Sequence, residues 1–164
     1  MLRKLCAGVV TSVLIMGGAA ACSDDDETGP ELETNFVASL SGAAERPTPV
    51  TTSATGSATV TINDATSTIA YSVTVNGLLS PIMAHIHVGG VNDAGPIALS
   101  LLATAPPVGT FNGVLTSGTG TAAQIVGGET FATLAAKIRA GTAYINVHTV
   151  ANQNGEIRGQ LVAQ

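Results

Sequence analysis

Tryptophan is absent from this sequence, aromatic residues make up only 3% of it, and charged residues only 10%. With so few large side chains, a folded core must be assembled from many small aliphatic residues. The charged residues form no basic patch: from position 35 onward there are five acids and four bases, so nucleic-acid binding is not expected. The two cysteines, Cys6 and Cys22, lie near the amino terminus, so no disulfide is expected in the body of the chain.

Threonine, valine, alanine, serine and glycine are the abundant residues. Threonine and valine favour strands, and frequent glycine and proline mark short connections, which together predict an all-β sandwich or barrel of about eight or nine strands. The clearest hairpin has alternating runs at 58–62 and 69–75 around an Asn-Asp turn, and an Asn-Gly pair at 76–77 is expected to end its second strand. Residues 129–141 have a helical period instead, which predicts one short helix ending at Gly141.

The first 21 residues have the organisation of a signal peptide. Arg3 and Lys4 precede an apolar run at 5–16, which is too short to span a bilayer, and small residues then lead to Cys22. This arrangement resembles the signal peptide of bacterial lipoproteins, in which the cysteine is lipidated and becomes the new amino terminus. We therefore predict a lipoprotein signal peptide at 1–21 and lipidation of Cys22. The alternative is an ordinary secretory signal that leaves this cysteine as a free thiol.

An acidic stretch follows the predicted cleavage site. Residues 22–34 include Asp24, Asp25 and Asp26 in direct succession. Because like charges repel, this stretch is predicted to be a flexible tether between a membrane and a domain at 35–164. The predicted location is the bacterial cell envelope on its extracytoplasmic side, with the lipid as the contact to the membrane.

The chain has three histidines, and strand periodicity predicts where they point. Side chains alternate between the two faces of a strand. In AHIHV the aliphatic residues share one face and His85 and His87 share the other, while in AYINVHT the second face carries Tyr144, Asn146 and His148. The aliphatic faces are expected to form the core. The three imidazoles therefore project from the polar face, and they converge if the two strands are neighbours.

Two interpretations of the histidines remain open at this level. Three neutral imidazoles suit Zn(II) or Cu(II), so they form a candidate metal site. Alternatively, they bond loop carbonyls or the side chains of Asn92, Asp93 or Asn146, and lock the β-fold together. No catalytic residue is predicted, since the sequence has no Gly-x-Ser-x-Gly motif, no phosphate loop and no serine or threonine in a motif that pairs it with a base.

Four segments resemble the CHRD domain, which occurs in the morphogen-binding protein chordin and in many microbial secreted proteins. They are FVASLSGAAERPTP, YSVTVNGL, AHIHVGG with GPIALSL, and AYINVHT with GEIRGQL. The resemblance covers residues 35–164 and implies an immunoglobulin-like Greek-key β-barrel, distantly similar to copper–zinc superoxide dismutase. That enzyme binds copper through a His-x-His pair and a later histidine, which His85, His87 and His148 match by type and order. Its remaining histidines and its disulfide have no counterpart here, so the resemblance implies at most one three-histidine site for copper or zinc.

Tyr144, Asn146, Glu156 and Arg158 are predicted to share the polar face of the histidines, as a ligand-binding or a structural set. Glu156 and Arg158 are two positions apart, which places both on one face of a strand. In a functional role, Arg158 would anchor an anionic ligand. In a structural role, the two residues form a surface pair, or Arg158 bonds loop carbonyls and orders the Asn-rich turn before it.

The sequence as a whole predicts a lipid-anchored, extracytoplasmic binding module whose ligand is an unidentified protein or small molecule. No definite cofactor is predicted for this function. The alternative is a metal-binding protein of redox type that holds copper or zinc at the three histidines.

Overall fold

A computed structural model of the chain describes residue 32 and residues 34–164. The predicted signal peptide at 1–21 and the predicted lipidation site Cys22 lie outside the described residues, and both remain predictions. Within the described part, the strands and the helix have the following bounds: β1 (Asn35–Ser41), β2 (Thr55–Asn63), β3 (Thr68–Leu79), β4 (Pro81–Val88), β5 (Ile97–Ser100), β6 (Thr110–Thr121), α1 (Phe131–Arg139), β7 (Ala143–Thr149), β8 (Ile157–Gln160) and β9 (Val162–Ala163).

The strands form one antiparallel sheet in the order β5-β4-β7-β8-β1-β2-β3-β6, with β9 paired to β1. The two ends of this sheet approach each other, because Leu99 in β5 forms an isolated bridge with Ile125, just beyond β6. Gly120 in β6 also faces Leu99 so closely that a Cβ at this glycine would lie 2.6 Å from a leucine methyl carbon. The predicted all-β fold with one short helix is therefore confirmed, and it has the form of a nearly closed barrel.

The hairpin of β2 and β3 is paired from Thr55 with Asn76 to Asn63 with Thr68, as the alternating sequence predicts. The predicted end of its second strand at 76–77 is wrong. The strand continues to Leu79 across an irregularity between Val75 and Leu78, where the register with β6 shifts. Gly77 adopts a φ of 68°, which glycine accepts without strain, so the Asn-Gly pair forms a bulge within the strand.

The helix α1 is bounded as its sequence indicates. The Thr130 hydroxyl accepts a hydrogen bond from the backbone N–H of Thr133 at the amino end. At the other end Gly141 has a φ of 68°, and the backbone N–H groups of Gly141 and Thr142 donate to the carbonyls of Ile138 and Lys137. This is a Schellman motif, which confirms the predicted helix end. None of the helices in the described residues is long and apolar enough to cross a membrane.

The core is made of small aliphatic side chains from one face of each strand. In β4, Ala84 and Ile86 are fully buried, and in β7 so are Ala143, Ile145 and Val147. These are the residues that strand alternation assigns to the core, so the predicted phase of both histidine strands is confirmed. The opposite face of β4 and β7 carries the histidines.

Candidate metal centre

The strands β4 and β7 are neighbours, which brings the three histidines together. Their pairing places His85 opposite Asn146, His87 opposite Tyr144, and Met83 opposite His148. One nitrogen atom from each imidazole can be chosen so that all three lie within 4.8 Å of one another. The predicted convergence of the three imidazoles is therefore confirmed.

This polar face is buried, which the sequence did not predict. The exposed fractions of His85, His87 and His148 are 6%, 8% and 6%. The loops that follow β4 and β7 contact the rings: the Nδ1–H of His87 donates to the carbonyl of Gly95 at 2.9 Å, and the Nδ1–H of His148 donates to the carbonyl of Gln153 at 3.0 Å. Each loop thus returns a carbonyl to the histidine that precedes it.

These bonds fix the tautomers of the rings. A neutral imidazole that donates from Nδ1 carries a lone pair on Nε2. The Nε2 of His148 accepts a hydrogen bond from the Nδ1–H of His85 at 3.0 Å. The Nε2 of His87 is buried and has no hydrogen-bond partner in the structure. The cluster therefore has a buried lone pair that is not used, on a ring whose other nitrogen is bonded to a backbone carbonyl.

The surroundings favour the neutral form of all three rings. Burial, together with the neighbouring imidazoles of His148 and His87, lowers the pKa of His85 to about 4. Burial also lowers the pKa of His87 and of His148, although the hydrogen bond to a carbonyl opposes this in each case. Neutral imidazole is the form that binds metal ions.

Arg158 and Tyr144 form the wall of the cluster beside His87. The rings of His87 and Tyr144 are stacked, with centroids 5.0 Å apart and an angle of 12° between their planes. The guanidinium carbon of Arg158 lies 3.4 Å from the centroid of the same tyrosine ring. Arg158 also donates to the backbone carbonyls of Asp93 and Gly90, at 2.6 Å and 2.8 Å, so it holds the loop after β4 in place.

The predicted surface pair of Glu156 and Arg158 is wrong. Both side chains are buried, with 6% and 2% exposed, because the loops fold over this face of the sheet. Glu156 precedes β8 and accepts hydrogen bonds from the hydroxyls of Thr52 and Thr149 and from the amide of Asn152. Burial opposes the charge of Glu156, but these hydrogen bonds outweigh it and lower its pKa. The other structural role predicted for Arg158 was to bond loop carbonyls. It does so, but the carbonyls belong to the loop after β4 and not to the Asn-rich turn before β8.

A second buried carboxyl, Glu45, was not predicted. It is 3% exposed, and its Oε2 accepts a long hydrogen bond of 3.5 Å from the side-chain amide of Asn146. Its Oε1 is buried without a partner. Burial raises the pKa of Glu45 to about 7, although the charge of Arg158 and hydrogen bonds lower it. The residue lies in a proline-containing loop without strand periodicity, so no sequence signal marked its burial.

A cleft of about 340 Å³ lies between the loop at 45–50 and the loop at 151–155. Glu45 lines it on one side, and Gln153, whose carbonyl binds His148, lines it on the other. Gly155 stands between the cleft and the polar face. Its φ is 128°, and a Cβ there would lie 2.5 Å from the Asn146 amide nitrogen and 2.7 Å from the Glu45 carboxylate.

The donor set fits a metal ion that accepts nitrogen ligands. His87 and His148 each donate their Nδ1–H to a backbone carbonyl. This is the arrangement that commonly orients metal-binding histidines and fixes their tautomer. Three imidazoles with no carboxylate in the group suit copper or zinc better than calcium or magnesium, which prefer oxygen.

Comparison with known proteins adds one finding. A family model of the CHRD domain matches residues 36–161, which include the three histidines, Glu45 and Arg158. No curated protein and no solved structure matches the chain. The expected distant similarity to copper–zinc superoxide dismutase is therefore not borne out, and the candidate site is supported only by its own geometry.

Proposed function

The chain belongs to the CHRD domain family, and we propose that it is a lipid-anchored binding protein of the bacterial envelope whose domain holds one metal ion. The proposed ligands are the imidazoles of His85, His87 and His148, and the proposed metals are copper and zinc. The anchor and the extracytoplasmic location are proposed from the sequence alone, in which a signal-like segment at 1–21 leads to Cys22.

The metal proposal rests on the Nε2 atom of His87, a buried acceptor without a partner. Leaving a buried polar atom unbonded costs about 1–3 kcal/mol, so such atoms are uncommon in folded proteins. The lone pair of this atom belongs to the group of three imidazoles whose nitrogens come within 4.8 Å of one another. A metal ion at the centre of the group would use that lone pair.

The spacing of the nitrogens suits such an ion. A metal at 2.0–2.1 Å from three nitrogens requires nitrogen–nitrogen separations of about 3.3–3.6 Å. In the cluster, His85 Nδ1 and His148 Nε2 are 3.0 Å apart. One nitrogen of each ring can be chosen so that no separation exceeds 4.8 Å. Side-chain shifts of about 1 Å would bring the three nitrogens to these separations. The proton of His85 would also move from Nδ1 to Nε2, so that the lone pair of Nδ1 could bind the metal.

Metal retention tests this function. The full chain is prepared without a histidine tag and with both Cys6 and Cys22 changed to Ser, so that no thiol or tag competes for metal. It is exposed separately to Cu(II) and Zn(II), dialysed, and analysed for bound metal. We expect one ion per chain for at least one of the two metals, and loss of that ion in His87→Gln and in His148→Gln.

Tyr144→Phe is the matched control, because it removes a buried hydroxyl from the same cluster and leaves all three imidazoles. Thermal unfolding of every variant separates a lost ligand from a lost fold. Retention of neither metal by the folded protein would reject the metal function. Equal retention by the protein and both histidine variants would place the metal elsewhere.

Cys22→Ser tests the anchor separately. In a bacterial host that is fed labelled palmitate, the proposal expects the label on the protein and the protein in the membrane fraction, with both lost in the variant. Cys6→Ser is the control, since this residue would be removed with the signal peptide. A protein that fractionates identically with and without Cys22 has no lipid at this position.

The cleft beside Glu45 supports a second function, the binding of a small organic ligand. Its volume of about 340 Å³ is in the range of small-molecule sites. The Oε1 of Glu45 is a buried acceptor that lacks a donor. A ligand with an N–H group would bond to it after a small movement of the Glu45 side chain toward the cleft. The amide-rich loop at 151–155 and the prolines at 47 and 49 would form its walls.

Nuclear magnetic resonance titration with methylammonium and acetamide tests this second function. We expect shifts in the backbone amide signals of 45–50 and 151–155 with at least one probe. Glu45→Gln should weaken the response to the cation more than the response to the neutral amide, because only the cation gains from an ionised carboxylate. The absence of shifts with both probes would reject the cleft as a site for N–H donors.

A further inference from the structure

Met83 lies beside the three-histidine group on the same face of the sheet. It precedes His85 by two positions in β4, and the register is regular from Met83 onward, so strand alternation gives both residues the same side. Across the strand pair, Met83 is the direct partner of His148. Opposed residues have Cβ atoms about 4.5–5.5 Å apart, which is within reach of the three rotatable bonds of a methionine side chain.

Met83 also marks the open side of the cluster. Its side chain is 38% exposed, whereas the exposed fraction of each histidine is 8% or less. A side chain at this position that turned toward His148 would cover the cluster with its thioether on the solvent side. The sulfur is a soft ligand, and a thioether suits the soft ion Cu(I).

Charge in the cluster favours a monovalent ion independently of the sulfur. The candidate ligand group holds three imidazoles and no carboxylate, so it brings no negative charge to a bound ion. A positive charge lies beside the cluster, because Arg158 lies on the Tyr144 ring that stacks on His87. The cost of burying an ion rises with the square of its charge, so a dication retains a much larger penalty than a monocation.

We propose that the centre binds Cu(I) in preference to Zn(II), with the thioether of Met83 as a fourth ligand beside the three imidazoles. This inference rests on the proposed metal function and specifies which metal ion the site binds. The imidazoles provide the buried end of the site, and the methionine closes it on the solvent side. Removal of the sulfur should then weaken Cu(I) selectively.

Competition titrations measure both halves of the proposal. The untagged full chain with Cys6→Ser and Cys22→Ser is titrated with Cu(I) under argon with ascorbate, against the chromophoric chelator bicinchoninate. Zn(II) is titrated in parallel against a zinc-specific dye. We expect one Cu(I) per chain, bound more tightly than Zn(II). In Met83→Leu, which keeps a similar volume, we expect Cu(I) affinity to fall by about tenfold or more and Zn(II) affinity to stay within about twofold.

Ile82→Leu is the control, because it alters the adjacent residue of β4 and removes no ligand. X-ray absorption of the Cu(I) form gives a direct check, since a sulfur neighbour at about 2.3 Å should be present in the protein and absent from Met83→Leu. Equal Cu(I) affinity in the protein and in Met83→Leu, or tighter binding of Zn(II) than of Cu(I), would overturn this inference and leave the three-histidine site standing. Binding of neither ion would reject the metal function itself.

Discussion

The guanidinium carbon of Arg158 lies 3.4 Å from the centroid of the Tyr144 ring, so a buried cation from β8 rests on an aromatic residue of β7. Both partners are almost fully buried, with 2% of each exposed. The same guanidinium donates to the carbonyls of Gly90 and Asp93 in the loop after β4. One side chain thus joins two strands and the loop that covers His87.

Arg158→Lys should destabilise the fold by about 1–3 kcal/mol. Lysine keeps the charge but cannot reproduce a planar fork that bonds two carbonyls and stacks on a ring, and carbonyls left without donors are costly. Urea unfolding at neutral pH measures the effect. Arg139→Lys is the matched control. Arg139 forms a partly exposed ion pair with Asp64, so weakening that pair should lower the free energy of unfolding by less than about 1 kcal/mol. Equal effects at the two positions would contradict the structural role of Arg158.

Acidification should destabilise the fold between pH 6.5 and about 4 through His85. Its pKa is 6.5 in the unfolded chain and about 4 in the folded protein, so in this window only the unfolded chain takes up the proton. Stability therefore falls as the pH falls, with a slope of about 1.4 kcal/mol per pH unit for one proton. Unfolding free energies are measured across this pH range in a Glu45→Gln background, so that the titration of Glu45 does not contribute. Adding His85→Gln should reduce the slope of the unfolding free energy against pH. An unchanged slope would show that His85 is not the group responsible.

Glu45→Gln should stabilise the fold above pH 7 and have little effect below pH 4.5. The pKa of Glu45 rises from 4.5 in the unfolded chain to about 7 in the folded protein, so its contribution favours folding at low pH and is lost as the pH rises through 7. The shift corresponds to roughly 3 kcal/mol at most. Unfolding free energies of both proteins across this range measure the difference. A difference that is constant with pH would contradict a raised pKa.

Gly155→Ala should destabilise the fold by more than about 2 kcal/mol. Residues with a side chain rarely adopt a φ of 128°, and the new methyl would collide with the side chains of Asn146 and Glu45. Gly77→Ala is the control, because Gly77 has a φ of 68° and nothing lies within 4 Å of its added Cβ. Only the strain of the left-handed conformation, about 1 kcal/mol, applies there. Thermal unfolding compares the two, and a larger loss at Gly77 would contradict the crowding at Gly155.

The sequence predicted the strand faces well, because alternation is a local property. Ala84 and Ile86 point to the core, and His85 and His87 point away from it, as their spacing requires. His148 joins the other two histidines only because β4 and β7 are neighbours in the sheet. No local sequence pattern predicts which strands are neighbours. Met83 was not predicted to join the histidines, because an isolated methionine carries no signal before its partner across the strand is known.

Burial of the polar face could not be predicted, because it depends on where loops without periodicity return. Gly95 and Gln153 supply their carbonyls through loop conformations that have no repeating pattern. Glu45 is separated from Asn146 by about a hundred positions, so its contact is purely tertiary. The sequence therefore predicts a charged residue such as Glu156 to lie on the surface, although it is buried and accepts hydrogen bonds from residues of other segments.

The position of β1 in the sheet has a consequence for how the chain folds. This first strand pairs on one side with β2 and on the other with β8 and β9, at the far end of the sequence. Pairings between distant segments are slow to form, since the long intervening loop must close first. The barrel therefore cannot be completed until the last strands are available. A chain that stops before Ile157 would leave β1 and β7 with open hydrogen-bonding edges, which are prone to aggregate.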